Sequence, residues 1–168
     1  MTGTVVWVLG SDSDLPHIQD GLAALSTLDV PTEVRILSAH RTPDAVDELA
    51  RGARARGVRV LIGVAGGAAH LPGVLAARTT LPVIGVPVPT DLSGGLDSLL
   101  SIAQMPAGVP VATVGANKAG GRNAALLAAE ILSVSDERLA VALDAMRGEM
   151  ARAVLQKDRD KGRRAEER

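Results

Sequence analysis

The chain has no cysteine, no phenylalanine and no tyrosine, and it has one tryptophan. Without cysteine it forms no disulfide, offers no thiolate to a metal and uses no cysteine nucleophile. A core almost without aromatic rings is filled by Val, Leu, Ile and Ala, which suits helices packed closely on a parallel sheet. The same shortage removes the stacking platforms on which single-stranded nucleic acid is held. An excess of one charge sign is missing too: the net charge is −1, so no broad field draws in a polyanion such as DNA. Histidine is scarce, with three residues, and no HExxH or comparable carboxylate–histidine spacing occurs, so no catalytic zinc site is expected. No GxSxG elbow points to a serine hydrolase.

Long apolar runs are nearly absent. The uncharged stretch over residues 60–77 reaches membrane-span length but is interrupted by Gly66-Gly67, His70 and Leu71-Pro72-Gly73. It reads as a buried strand, a loop and a helix, and no membrane partner is expected. The first residues, MTGTVVWVLG, lack a basic leader and enter a strand-like run at once, so the expected location is the cytoplasm.

What is present is a repeated alternation. Short β-branched runs fall at residues 4–9, 33–37, 59–64, 82–86 and 109–114. Between them, residues 14–28 place Leu15, Ile18, Leu22 and Leu25 on one helical face. Residues 43–56 open with Thr42 as an expected N-cap and Pro43 at the first helical position, with Gly57 as a stop. Shorter helical patterns cover 71–78 and 119–132, and Ser135-Asp136-Glu137 is a further capping signal. Strands alternating with helices imply βαβ units, hence an α/β domain with a five-stranded parallel sheet, doubly wound in a flavodoxin-like or Rossmann-like way. With 168 residues, 46% of them hydrophobic, one domain is expected over 1–150. The mixed-charge segment 151–168, with Gly162 inside it, is expected to fray into a solvated tail, with extension of the last helix as the alternative.

In such a sheet, ligands gather at the carboxyl ends of the strands. Three stretches fall there: "GSDSD" (10–14), "SAHRTP" (38–43) and "AGGAAHLPG" (65–73), and they are expected to converge on one pocket. "GSDSD" offers the hydroxyls of Ser11 and Ser13 and free backbone N–H groups where a helix begins, which suits a phosphate. It lacks the spacing of a dinucleotide fingerprint or a P-loop, so neither NAD nor ATP is supported. Asp14 is suited to ribose hydroxyls; alternatively, Ser13 or Asp14 simply caps the helix. In "SAHRTP" the fork of Arg41 matches phosphate oxygens, and such an anion relieves the penalty of protonating His40 beside it. "AGGAAHLPG" lets backbone approach a ligand at its glycines, with small Ala side chains leaving room for a flat ring. There His70 either donates to the ligand or caps the helix beginning at Leu71. His17 is expected to be solvated. These residues alone leave a ribose-phosphate compound handled by one acid–base histidine.

Six stretches in order and register, the three above with "GVPV", "DSLLSIAQMPAGVPVATV" and "NAALLAAEIL", resemble the bacterial-type N5-carboxyaminoimidazole ribonucleotide mutases of purine biosynthesis. The resemblance covers roughly Thr4 to Leu143. It implies a flavodoxin-like three-layer α/β/α subunit, a homo-octamer and no cofactor. It implies transfer of a carboxylate from the exocyclic N5 of aminoimidazole ribonucleotide to ring carbon C4. It further implies functional coupling to the ATP-dependent synthase that makes the N5-carboxy substrate. By the same resemblance, Ser11, Ser13, Ser38 and Arg41 would hold the 5′-phosphate and Asp14 the ribose. His40 would be the acid–base group, a task for which imidazole is suited because it changes charge near neutral pH. Gly66, Gly67, Ala69, His70 and Leu71 would surround the carboxylate or CO2. Departures occur around Gly115 to Asn117 and in the C-terminal segment. Two rival expectations are a direct CO2-dependent carboxylase on the same fold and a non-catalytic ribonucleotide-binding module.

Overall fold

Strand β1 (Thr4–Leu9) divides its side chains between two apolar layers: Val5, Trp7 and Leu9 enter one core, Val6 and Val8 the other. That division is the period of two expected of a strand covered on both faces. In the computed structural model, which describes residues 3–162, β1 lies between β2 (Thr32–Ile36) and β3 (Val58–Ala65). Beyond β3 come β4 (Val83–Pro87) and β5 (Ala112–Thr113), giving the order β2-β1-β3-β4-β5 with every pair parallel.

Among the described residues six α-helices flank this sheet, three on each side. Helices α1 (Gln19–Thr27), α5 (Gly120–Ser133) and α6 (Glu137–Lys161) pack on the Trp7 side through Leu25, Ala124, Ala128, Leu139 and Leu143. Helices α2 (Pro43–Gly52), α3 (Leu71–Ala76) and α4 (Leu96–Ala103) pack on the other side through Val46, Ala50, Leu75 and Ile102. This is the flavodoxin-like three-layer α/β/α sandwich. Burying a leucine such as Leu139 or Leu143 contributes about 1.5–3 kcal/mol, and these two fasten the start of α6 to the body. Among the described residues no helix is long and apolar enough to cross a membrane.

Several expectations are corrected. The helix expected from residue 14 is split into a 3₁₀ turn (Asp12–His17) and α1, because Pro16 has no N–H to continue a ladder. The fifth strand shrinks to Ala112–Thr113, with Pro110 unable to donate to β4. Thr42 precedes α2 but its side chain does not cap it; Pro43 does start the helix. Gly57 stops the segment in the left-handed region, at φ 82°. Helix α4 was not anticipated, and α6 runs through the segment expected to fray. Asp136 caps α6, accepting the Leu139 N–H at 3.2 Å, and the helix persists to Lys161. The rest of the expected tail, residues 163–168, lies outside the described residues.

Helices α1 and α5 approach closely because Gly21 and Gly121 face each other. A Cβ on Gly21 would meet the Gly121 carbonyl and the Trp7 ring, and one on Gly121 would meet the His17 carbonyl. Those neighbours are mostly backbone and cannot swing aside. Gly121→Ala is therefore expected to destabilise the fold by about 1–3 kcal/mol through overpacking. Urea unfolding should show a lower midpoint with unchanged slope; an unchanged midpoint would mean that the helices can separate without loss.

Candidate active site

The strand order reverses between β1 and β3, since the chain passes from β1 to β2 on one side and then to β3 on the other. At such a switch point the turns leaving adjacent strands diverge and open a crevice. Pairing continues one residue past β1, where the Gly10 N–H donates to the Val64 carbonyl at 3.0 Å. The chain then turns into a reciprocal cap. The Ser11 hydroxyl accepts the Ser13 N–H at 3.3 Å, and the Asp14 carboxylate accepts the Ser11 N–H at 3.1 Å. Ser11 is thus the cap and Asp14 closes it, while the Ser13 hydroxyl donates to Ser11 Oγ at 2.9 Å. Asp14 is 7% exposed. Burial raises its carboxyl above the ordinary value, and the hydrogen bond from Ser11 N–H only partly opposes that rise.

After β2 the Leu37 N–H still reaches the Leu9 carbonyl, at 2.9 Å. Ser38 then folds the loop over itself, its hydroxyl accepting the N–H groups of His40 (3.3 Å) and Arg41 (3.2 Å). Thr42, freed from capping, ties the same loop: its Oγ1 accepts the Ser38 N–H at 2.9 Å and donates to the Ser38 carbonyl at 3.1 Å. Arg41 reaches across to the first loop and donates to the Gly10 carbonyl at 2.9 Å. One bond leaves most of the guanidinium's donors available to an anion.

After β3 the chain passes Gly66 and enters the left-handed region at Gly67, φ 67°. His70 stands at the start of α3, yet its side chain caps nothing. Its Nδ1 instead lies 2.8 Å from His40 Nε2, with the rings nearly perpendicular at 87° and their centroids 4.9 Å apart. The capping role left open for His70 is therefore not realised. In this contact one ring donates and the other accepts, so a proton on both facing nitrogens would break it.

The three turns close on a cavity of about 440 Å³. Ser11, Ser13, Asp14, Ser38, His40 and Arg41 line one part of it, and Gly66, His70 and Leu71 another. Two expected residues do not line it. Gly67 has both backbone groups engaged elsewhere, its N–H on Ser98 Oγ (2.9 Å) and its carbonyl accepting from Ser101 Oγ (3.3 Å). Ala69 points into the second core, at 1% exposure. Gly10, Ala39, Ala65 and Ala68 line the cavity without having been singled out; small residues inside already recognised loops were the available signal. Ser98 carried no local signal at all.

The cavity has two chemical ends. Hydroxyls and a guanidinium make an anion cradle beside a buried carboxylate, and paired imidazoles stand against small residues and exposed backbone. Two other hollows lack this combination. One of about 780 Å³ lies where β3 and β4 begin, near Arg54 and Arg59; the other, about 480 Å³, is an apolar groove between α5 and α6. Among the described residues no group of three His, Cys, Asp or Glu side chains gathers as metal ligands.

The AIR carboxylase family model matches residues 4–153. The N5-carboxyaminoimidazole ribonucleotide mutase of Mycobacterium tuberculosis is 56% identical over 151 residues, covering 90% of this chain and 86% of the relative. That of Bacillus subtilis is 55% identical over 149 residues, covering 89% and 92%. The crystal structure of Treponema denticola PurE superposes with a TM-score of 0.87 at 29% identity, covering 95% of this chain and 99% of that one.

The burial of Asp14 has a measurable consequence. A carboxyl raised above its ordinary value of 3.8 binds its proton more tightly in the folded state than in the unfolded chain. Folding gains from that proton at low pH, and the gain is lost as pH rises from the unfolded value through the raised folded one. Asp14→Asn stays neutral and still accepts from Ser11. It is expected to unfold at higher urea than the wild type at neutral pH, with the gap closing below the ordinary carboxylate value. Equal midpoints at neutral pH would show that burial does not burden the carboxylate.

Proposed function

The chain belongs to the AIR carboxylase family, and on that premise we propose that His40 is the acid–base group of an N5-carboxyaminoimidazole ribonucleotide mutase. The observation that carries this reading is the convergence of three strand-end loops on one cavity, with His40 and Arg41 adjacent in one loop and His70 facing His40 from another. In this reading Ser11, Ser13, Ser38 and Arg41 hold the 5′-phosphate, and Asp14 accepts from the ribose hydroxyls. The aminoimidazole then lies beside His40, and Gly66, Ala68, His70 and Leu71 enclose the migrating carboxylate.

The chemistry needs one proton carrier. Protonated His40 delivers its proton to N5 as the N5–carboxylate bond breaks, leaving aminoimidazole ribonucleotide and CO2. Carbon C4 then attacks the CO2, forming the new C–C bond, and neutral His40 removes the C4 proton and restores the aromatic ring. The histidine ends as it began, and atoms and charge balance without an external reagent. Holding CO2 against C4 replaces a dilute second-order encounter by one within a single complex. Arg41 offsets the phosphate charge, so that His40 is not left to balance two anionic groups alone.

The homo-octamer and the cytoplasmic location are part of the same proposal. Leu92, Leu96 and Leu100 on and before α4, and Met150, Val154 and Leu155 on α6, expose apolar surface suited to subunit contacts. Functional coupling to the ATP-dependent synthase follows from the lability of the N5-carboxy substrate.

Ring-carbon carboxylation should proceed when the N5-carboxy ribonucleotide is supplied. Equal rates with aminoimidazole ribonucleotide and bicarbonate would assign the direct carboxylase instead. In that assay His40→Asn is expected to keep ligand binding while kcat falls by about 10²–10⁴-fold; near-normal turnover would remove His40 from the mechanism. Arg41→Ala is expected to act chiefly on KM, raising it about ten- to a hundredfold through lost charge-assisted hydrogen bonds. A fall in kcat alone would place the phosphate elsewhere.

A further inference from the structure

Ser98 is completely buried, at 0% exposure, on the first turn of α4. A hydroxyl so placed needs partners for its donor and its lone pairs. It has both: it donates to the Val88 carbonyl at 2.8 Å and accepts the Gly67 N–H at 2.9 Å. Val88 immediately follows β4, and its N–H donates to the Ala65 carbonyl at the end of β3 (2.9 Å). Ser98 therefore closes the seam between β3 and β4 just where the ladder ends and the β3–α3 loop departs. One helical turn later, Ser101 donates to the Gly67 carbonyl at 3.3 Å, so α4 holds Gly67 through both of its backbone groups.

From Gly67 the loop has little slack. The Ala69 N–H donates back to the Gly67 carbonyl and the His70 N–H to the Ala68 carbonyl, each at 2.8 Å. Ala69 is sunk in the core and His70 meets His40 three residues after Gly67. A displaced Gly67 carries Ala68 and His70 with it. The anion cradle hangs on β1 and β2, and its side-chain hydrogen bonds run within and between the first two loops.

We propose that Ser98 is a positioning residue that holds the β3–α3 loop closed over the transferring carboxylate, so that CO2 reaches C4 before it escapes. The proposal rests on the mutase reading above. When the loop is held, CO2 released from N5 is consumed by C4, and the C4 proton goes to His40. When it is loose, the N5–carboxylate bond still breaks and N5 still takes its proton from His40. The CO2 then diffuses away, aminoimidazole ribonucleotide is released, and His40 is reprotonated from water.

The test is the partition of the N5-carboxy ribonucleotide between 4-carboxylated product and aminoimidazole ribonucleotide, corrected for enzyme-free decay, in the full-length wild type, Ser98→Ala and Ser98→Cys. Misplacement of a reacting geometry by about 1 Å costs up to about 10²-fold. Ser98→Ala should accordingly lose about ten- to a hundredfold in kcat for the mutase product, keep KM within about twofold, and release more aminoimidazole ribonucleotide. Ser98→Cys, which keeps the shape with longer and weaker hydrogen bonds, should fall between. Wild-type partition in a folded variant overturns the proposal, as does a loss of kcat that merely tracks the folded fraction measured by thermal melting. Should Ser98→Ala not accumulate as folded protein, Ser98→Cys is judged by the same criteria. A wild type that does not convert the substrate sinks the mutase reading itself, whereas a competent wild type with unaltered variants sinks only the role of Ser98.

Discussion

Parallel pairing of β1 with β2 on one side and with β3 on the other obliges the chain to leave all three strands at the same edge of the sheet. The strand order reverses between β1 and β3, so the departing turns have a crevice between them rather than a packed helix. Short backbone bonds extend this geometry past the strands: Gly10 to Val64, Leu37 to Leu9 and Val88 to Ala65. Ser11, His40 and His70, far apart along the chain, consequently line one cavity. A rearranged strand order would leave each motif intact and separate them all.

Around that crevice the polar groups are bound to one another before any ligand arrives. Arg41 is steered by the Gly10 carbonyl, Ser38 by the N–H groups it accepts, and His40 by His70. Such preorganisation reduces the ordering a substrate must impose. It also has a cost, visible at Asp14, where a carboxylate is retained in a buried position although burial disfavours its charged form. A neutral acceptor would close the same cap, so the cap by itself does not require a carboxylate there.

The support behind the site is equally specific. Glycines allow α1 and α5 to approach closely behind the first loop, and the hydroxyls of Ser98 and Ser101 join α4 to the third. These contacts involve backbone on at least one side, which makes them sensitive to the addition or loss of one small group.

Much of the architecture was legible because it is written in local periods. β-branched runs marked the four longer strands, and leucines at helical spacing marked α1. Gly, Ser and Asp at strand ends marked the turns where polar chemistry collects. The failures were also local. Pro16 and Pro110 remove backbone donors, shortening elements whose side chains looked continuous. The mixed charges of α6 resembled a solvated tail, although i, i+4 pairs such as Gln156 and Asp160 (2.8 Å) suit a helix that projects into solvent.

From the residues alone came the α/β class, the identity of the three polar loops and the adjacency of an arginine and an imidazole in one of them. Only the folded chain decided that Gly67 and Ala69 do not line the cavity, that His70 meets His40 and does not cap a helix, and that Ser98 accepts the Gly67 N–H. Turn chemistry and side-chain period are properties of neighbours in the chain. Contacts such as His40–His70, 30 residues apart, and Gly67–Ser98, 31 apart, depend on the order in which strands pair, and no local pattern encodes that order.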